Sequence, residues 1–119
     1  MKNFRKLKVW EKAHTLVIKV YGLTKKFPKE EVYGLTSQIR RSCTSIPTNI
    51  AEGCGRDSQL ELTRFLVIAM GSANELEYLL LLGNDLHLME DKEYKVISND
   101  LIEVKKMLAS LINKLKADR

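Results

Sequence analysis

Arg40 and Arg41 stand side by side, Arg56 follows them, and Lys8, Lys12, Lys19 and Lys26 recur at spacings of four, seven and seven. Cations at such intervals fall along one side of a helix, and a stripe of that kind suits a phosphate backbone, which it meets by charge without reading bases. Neighbouring helical residues diverge by about 100°, so at least one of Arg40 and Arg41 has to leave the core face. Arg40, Arg41, Arg56, Lys12 and Lys19 are therefore the expected phosphate contacts. A solvated face is the plainer alternative. No aromatic side chains interleave with these cations as stacking of unpaired bases requires, so sequence-specific reading is not expected.

Catalytic chemistry finds less to work with. The chain has no GxxxxGK(S/T) phosphate loop, and Gly53-Cys54-Gly55 lacks the second half of a dinucleotide fingerprint and a strand before it. Neither HExxH nor the ExxH of di-metal carboxylate bundles occurs. His14 and His87 lie in different segments, and no Arg falls four to six residues ahead of either, the spacing small helical ribonucleases often use. His14 is expected to be a partly buried helix-face residue. Cys43 falls on an apolar stripe and reads as a packed thiol rather than a nucleophile. Cys43 and Cys54 on one helix are about 16 Å apart, too far for a disulfide. The expectation is a non-enzyme with no metal and no cofactor.

These residues must be held by helices. In the first, about 7 to 26, Val9, Ala13, Leu16, Val20, Leu23 and Phe27 make one stripe, and Trp10, Val17 and Tyr21 make a second. Pro28 ends it. In the second, about 31 to 54, Val32, Leu35, Ile39, Cys43, Ile46 and Ile50 keep their phase through Pro47. A kink fits that continuity: Pro47 cannot donate to the carbonyl of Cys43, and the hydroxyls of Thr44 and Thr48 are close enough to help satisfy it. The rival is a restart, with Asn49 as N-cap and Glu52 as its capping-box partner. Asn49 and Glu52 are read as structural, capping the backbone or pairing with Arg41 or Arg56; a ligand role stays open.

Gly53, Gly55 and the GCGRDS stretch make the next turn, and Ser58 with Glu61 has capping-box spacing at the start of a third helix, about 59 to 82. That helix is apolar on nearly every side. Phe65, Ala69, Ser72, Leu76, Leu79 and Gly83 line one face, while Val67, Tyr78, Leu81 and Leu82 point elsewhere. Ala69, Gly71, Ser72 and Ala73 would let a neighbouring helix approach closely. A fourth helix, about 91 to 117, carries Tyr94, Ile97, Leu101, Val104, Leu108, Leu111 and Leu115 at strict three-four spacing. Four helices with short loops predict one domain, 1 to 119, folded as an antiparallel up-down-up-down four-helix bundle. Its first and third helices carry more apolar surface than one core needs, and a homo-oligomer is the simplest cover.

The balance of charge divides the chain. Residues 1 to 56 hold 12 Lys/Arg against 4 Asp/Glu, whereas residues 57 to 119 hold 8 against 11, for a net +5. The basic half either attracts a polyanion or complements the acidic half within the fold or assembly, and charge alone favours the second. The start MKNFRKLKVWEK lacks a signal-peptide core, and the run FLVIAMGSA (65 to 73) falls short of the roughly 20 residues of a membrane span. A cytoplasmic chain without a membrane partner is expected.

The segment QIRRSCTSIPTNIAEGCGR (38 to 56) resembles the most distinctive stretch of the bacterial four-helix-bundle proteins encoded within intervening sequences of 23S ribosomal RNA genes. Ser45-Ile46-Pro47, Asn49 to Gly53 and Gly55-Arg56 carry the likeness. Phe65, Ala69, Gly71-Ser72, Glu75-Leu76-Glu77 and Leu80 extend it downstream, and Leu7, Trp10, Ala13, Tyr21, Phe27-Pro28 and Tyr33 to Thr36 upstream. Cys43-Thr44 departs from the small apolar pair of that pattern. The resemblance implies a bundle that associates as a ring, commonly a pentamer. It also relates the chain to accessory proteins of diversity-generating retroelements, which bind a reverse transcriptase and nucleic acid through basic surfaces. Two functions follow as expectations. One is a homo-oligomer that binds RNA or DNA in a salt-sensitive, largely sequence-independent way; the other is a protein-interaction scaffold or accessory subunit that touches no nucleic acid.

Overall fold

The computed structural model describes residues 2–118, and among them four helices and no strand occur. Helix α1 spans Lys8–Thr24, α2 Leu35–Cys54, α3 Gln59–Asp85 and α4 Asp91–Ala117. Single 3-10 turns at Phe4–Lys6 and Lys29–Glu31 precede α1 and α2. Each helix packs on its two neighbours, with α4 closing back on α1, in a bundle 46 × 23 × 20 Å.

Cross-helix pairs give the directions. Lys12 and Lys19 of α1, and Lys26 just past its end, meet Glu103, Asp100 and Glu93 of α4 in descending order, so α1 and α4 are antiparallel. Ser45 Oγ lies 2.8 Å from Ser72 Oγ, and Gly53 packs on Leu62 and Phe65, so α2 and α3 are antiparallel too. Gln59 Nε2 donates to the Leu115 carbonyl and Lys105 pairs with Glu77, which sets α3 against α4. The order is up-down-up-down.

Every helix turns one apolar stripe inward. Leu16 and Val20, Ile39, Ile46 and Ile50, Leu66, Leu76 and Leu80, and Leu101, Val104 and Leu108 are fully buried at its centre. Burial of each such side chain contributes about 1.5–3 kcal/mol. On α3 the inward line runs through Leu62, Leu66, Ala69, Ala73, Leu76 and Leu80, so Phe65 and Ser72 flank the core instead of filling it. On α4, Ile112 is buried, while Tyr94 and Leu111 lie at the margin. By length and composition α3 also meets the requirement for a membrane span, yet its inward line is used against α2 and α4 and its Glu77 is ion-paired.

The helix starts explain where the apolar spacing misleads. Helix α2 begins four residues later than its pattern suggests, because Gly34 (φ −109°, ψ −114°) breaks the helical path and the Glu31 carboxylate accepts from Leu35 N at 3.2 Å. Val32 is therefore exposed, not on the seam. Ser58 Oγ accepts from Glu61 N at 3.1 Å, but the Glu61 carboxylate turns to Arg64, so only half of the expected capping box forms. A complete box stands at Glu90 and Glu93 ahead of α4.

Helix α2 is unbroken through Pro47. Asn49 does not cap a new helix: its Nδ2 donates back to the Ser45 carbonyl at 2.8 Å and to Ser45 Oγ at 2.9 Å. The restart is thereby overturned. Nor does Thr44 serve the carbonyl of Cys43; its hydroxyl bonds the carbonyls of Arg40 and Arg41, one turn earlier.

Candidate nucleic-acid interface

Helix α1 carries its lysines on the edge that faces α4. Lys12 Nζ lies 2.7 Å from Glu103, Lys19 Nζ lies 2.8 Å from Asp100, and Lys26 bonds Glu93. The Glu103 hydrogen bond holds the Lys12 pKa above its ordinary value, and the Glu93 bond does the same for Lys26. Reciprocally, the Lys26 hydrogen bond holds Glu93 below the usual carboxylate range, aided by its capping bond at Glu90. The basic stripe of α1 is thus the ion-paired seam between α1 and α4. Lys12 and Lys19 can meet a phosphate only in exchange for a carboxylate.

The arginines fall on three other surfaces. Arg40 is folded onto α1: its Nε donates to Thr24 Oγ1 at 2.8 Å and its guanidinium lies 4.4 Å from the Tyr21 ring centre. Arg41 is exposed above the groove between α2 and α3, beside Ser37, Thr44, Thr48 and Glu75, with no ion pair among the described residues. Arg56 lies 3.4 Å from Glu52 and 4.8 Å above Phe65, at the end of α2. The five expected contacts therefore do not form one patch. Of the residues read as structural, Pro47 and Gly53 are buried, Asn49 bonds within its own helix and Glu52 is exposed, paired to Arg56.

A different cationic group comes together at one end of the bundle. The antiparallel arrangement sets the chain start beside the end of α4, so Lys2, Arg5, Lys6 and Lys8 share that end with Lys114 and Lys116. None of these six makes an ion pair among the described residues. Next to them is a run of rings. Phe4 and Trp10 have centroids 4.9 Å apart, Trp10 and His14 stack at 5.0 Å with 8° between planes, and Arg5 lies 4.7 Å over Phe4. His14 is exposed and held by this stack, not partly buried. Aromatic surface therefore does adjoin cations, as the alternation of Phe4 and Trp10 with Arg5, Lys6, Lys8 and Lys12 already allows. The clue in the sequence was the basic end of α4, read together with the topology.

Both cysteines are free and buried, and burial pushes the Cys43 thiol up to about 12. Burial also raises Cys54, against a small lowering by Lys2. A thiol with so little thiolate at neutral pH is inert. Iodoacetamide at pH 7.5 is expected to leave Cys43 unmodified in the folded protein and to label it fully in guanidinium, as read by intact mass. Among the described residues no three His, Cys, Asp or Glu side chains converge as metal ligands.

Comparison with known proteins adds family and fold. The model of the 23S rRNA-intervening sequence protein family matches residues 5–110. A crystal structure of a protein with unknown function from the S23 ribosomal protein family of Bacteroides thetaiotaomicron is 33% identical, with a TM-score of 0.82, covering 88% of this chain and 95% of that one. No curated protein matches.

Proposed function

This chain belongs to the 23S rRNA-intervening sequence protein family, and from that premise we propose a non-enzymatic cytoplasmic subunit that assembles with copies of itself and holds RNA or DNA by its phosphates. The observation that carries the nucleic-acid reading is the group of unpaired cations at the end bearing Phe4, Trp10 and His14. Arg56 adjoins it at the end of α2, Arg41 offers a separate contact over the α2–α3 groove, and Lys12 and Lys19 contribute through exchange with α4. Assembly is supported by the outward side of α3, where Tyr78 is 60% and Val67 49% exposed. The ring, a pentamer by the resemblance of its motifs, multiplies a net charge of +5 per copy into a field that strengthens sequence-independent attachment. Pro47 leaves the Cys43 carbonyl without its helical donor, and we read it as a bend that sets the outer curve of α2 for that ring.

The test is retention of labelled single-stranded RNA and DNA, followed by the fluorescence of Trp10, the sole tryptophan. Binding at ~50 mM salt that falls at least tenfold by ~200 mM is expected, with no preference among sequences. Lys2, Arg5 and Lys6 changed together to Gln should flatten the salt slope by about one per lost phosphate contact. No retention at ~50 mM salt would overturn the reading.

A second reading has its own observation. Because α4 neutralises the α1 stripe, much of the positive charge serves the fold, which favours a scaffold that binds protein. A protein partner that stays bound after nuclease treatment would support it.

A further inference from the structure

One groove borders the cationic end, sharing Lys8 and Lys114 with it, but its aliphatic floor is no part of the proposed phosphate contacts. It lies between the start of α1 and the second half of α4, with a volume of about 420 Å3. Leu7, Val9, Met107 and Leu111 form its floor, and Leu7, Met107 and Leu111 are only half-buried. Lys8, Lys106 and Lys114 stand on its rim without an ion pair among the described residues, and no carboxylate lines it. This differs from the rest of the α1–α4 seam, where Lys12, Lys19 and Lys26 each have an acidic partner.

We propose that this groove is the docking site for a short acidic amphipathic helix of a partner protein. The trough between two antiparallel helices accepts a third helix laid along it, and aliphatic anchors at i and i+4 match the spacing of Met107 and Leu111. Lys106 and Lys114 are eight residues apart, about 12 Å along the axis, which carboxylates at i and i+7 or i+8 of the partner helix would span. Nucleic acid fits less well, since its bases stack on aromatic faces and this floor is aliphatic. A second copy fits less well too, because it brings the same net charge of +5 to a cationic rim. This docking goes beyond phosphate attachment, and either one can fail without the other.

The probe is a fluorescein-labelled 16-residue peptide with Leu at i, i+4, i+7 and i+11, Glu on both flanks of that stripe and Ala elsewhere. Its counterpart carries Lys for Glu. Anisotropy with the full chain is expected to show saturable binding of the acidic peptide, at least about tenfold tighter than of its counterpart. Lys106→Glu, at the rim cation that is not one of the end cations, should weaken it about fivefold or more, and Met107→Gln about threefold. Both variants change exposed or half-buried positions and should keep the wild-type helical circular dichroism. Oligo(dT) retention by the end cations supplies the separate readout for nucleic acid. The proposal is overturned if the acidic peptide does not bind, or if the charge reversal leaves its affinity unchanged. It is equally overturned if oligo(dT) displaces the peptide while Met107→Gln has no effect, meaning that charge alone is read. A fall in the mass of the assembly on charge reversal would assign the groove to a second copy and overturn it as well.

Discussion

Val67→Asp combined with Tyr78→Asp should leave a folded subunit of 13.7 kDa where the unaltered chain runs as a multiple of that mass. Both positions lie on the side of α3 turned away from the core, with Leu60 and Leu81 also exposed nearby. Neither touches the buried seam, so the helical circular dichroism should persist. Scattered apolar residues are ordinary on a monomer, but four on one face of one helix, interrupted by Arg64, Gly71 and Asn74, are a surface of the kind that copies cover. Burying two new carboxylates in such an interface costs several kcal/mol per contact, more than a thousandfold in association. Light scattering at micromolar concentration reads the result directly. An unaltered chain already at 13.7 kDa would remove the assembly from the proposal.

How much of this was legible depends on what each residue answers to. The bounds of α4, Asp91–Ala117, coincide with those its apolar spacing predicts, since a regular stripe is flanked by a capping box and a lysine-rich end. Gly34 ended the agreement on α2: a single non-helical glycine interrupts the backbone without disturbing apolar phase. The continuity of α2 past Pro47 was readable because Ile46 and Ile50 stay in register with Ile39 and Cys43. The lysines are the instructive case. Their seven-residue recurrence describes a free stripe and an antiparallel ion-paired seam equally well, and only the mirrored spacing of Glu93 and Asp100 distinguishes the two. The position of Arg40 over Tyr21 depends on how two helices abut, which no spacing within one helix contains. The cationic end was hidden for the same reason, being assembled from the two extremes of the chain.

Gly53→Val should be the most damaging exchange of a single glycine. A Cβ built at Gly53 would stand 2.8 Å from Phe65 Cβ and 3.3 Å from the Leu62 carbonyl, atoms anchored to the backbone of α3 that cannot swing aside. Helices α2 and α3 would have to separate along their closest approach. Overpacking of this kind costs about 1–3 kcal/mol, and the second branch of valine places the loss at about 3 kcal/mol, or a melting point about 10 °C lower. An unchanged melting point would show that α3 yields freely at this contact. Gly71 gives the opposite sign, because nothing lies within 4 Å of its added Cβ and it sits mid-helix on the exposed side of α3. In the Val67→Asp, Tyr78→Asp subunit, Gly71→Ala should raise stability by about 0.4–1 kcal/mol through helix propensity and a less free unfolded chain. In the assembled chain the same methyl would enter the surface where a neighbouring helix comes close, and the gain should turn into a loss of association. Equal stabilisation in both backgrounds would place the interface elsewhere. The small residues of α3 thus divide by direction: Ala69 and Ala73 admit the core, Ser72 meets Ser45 of α2, and Gly71 alone of the four is exposed.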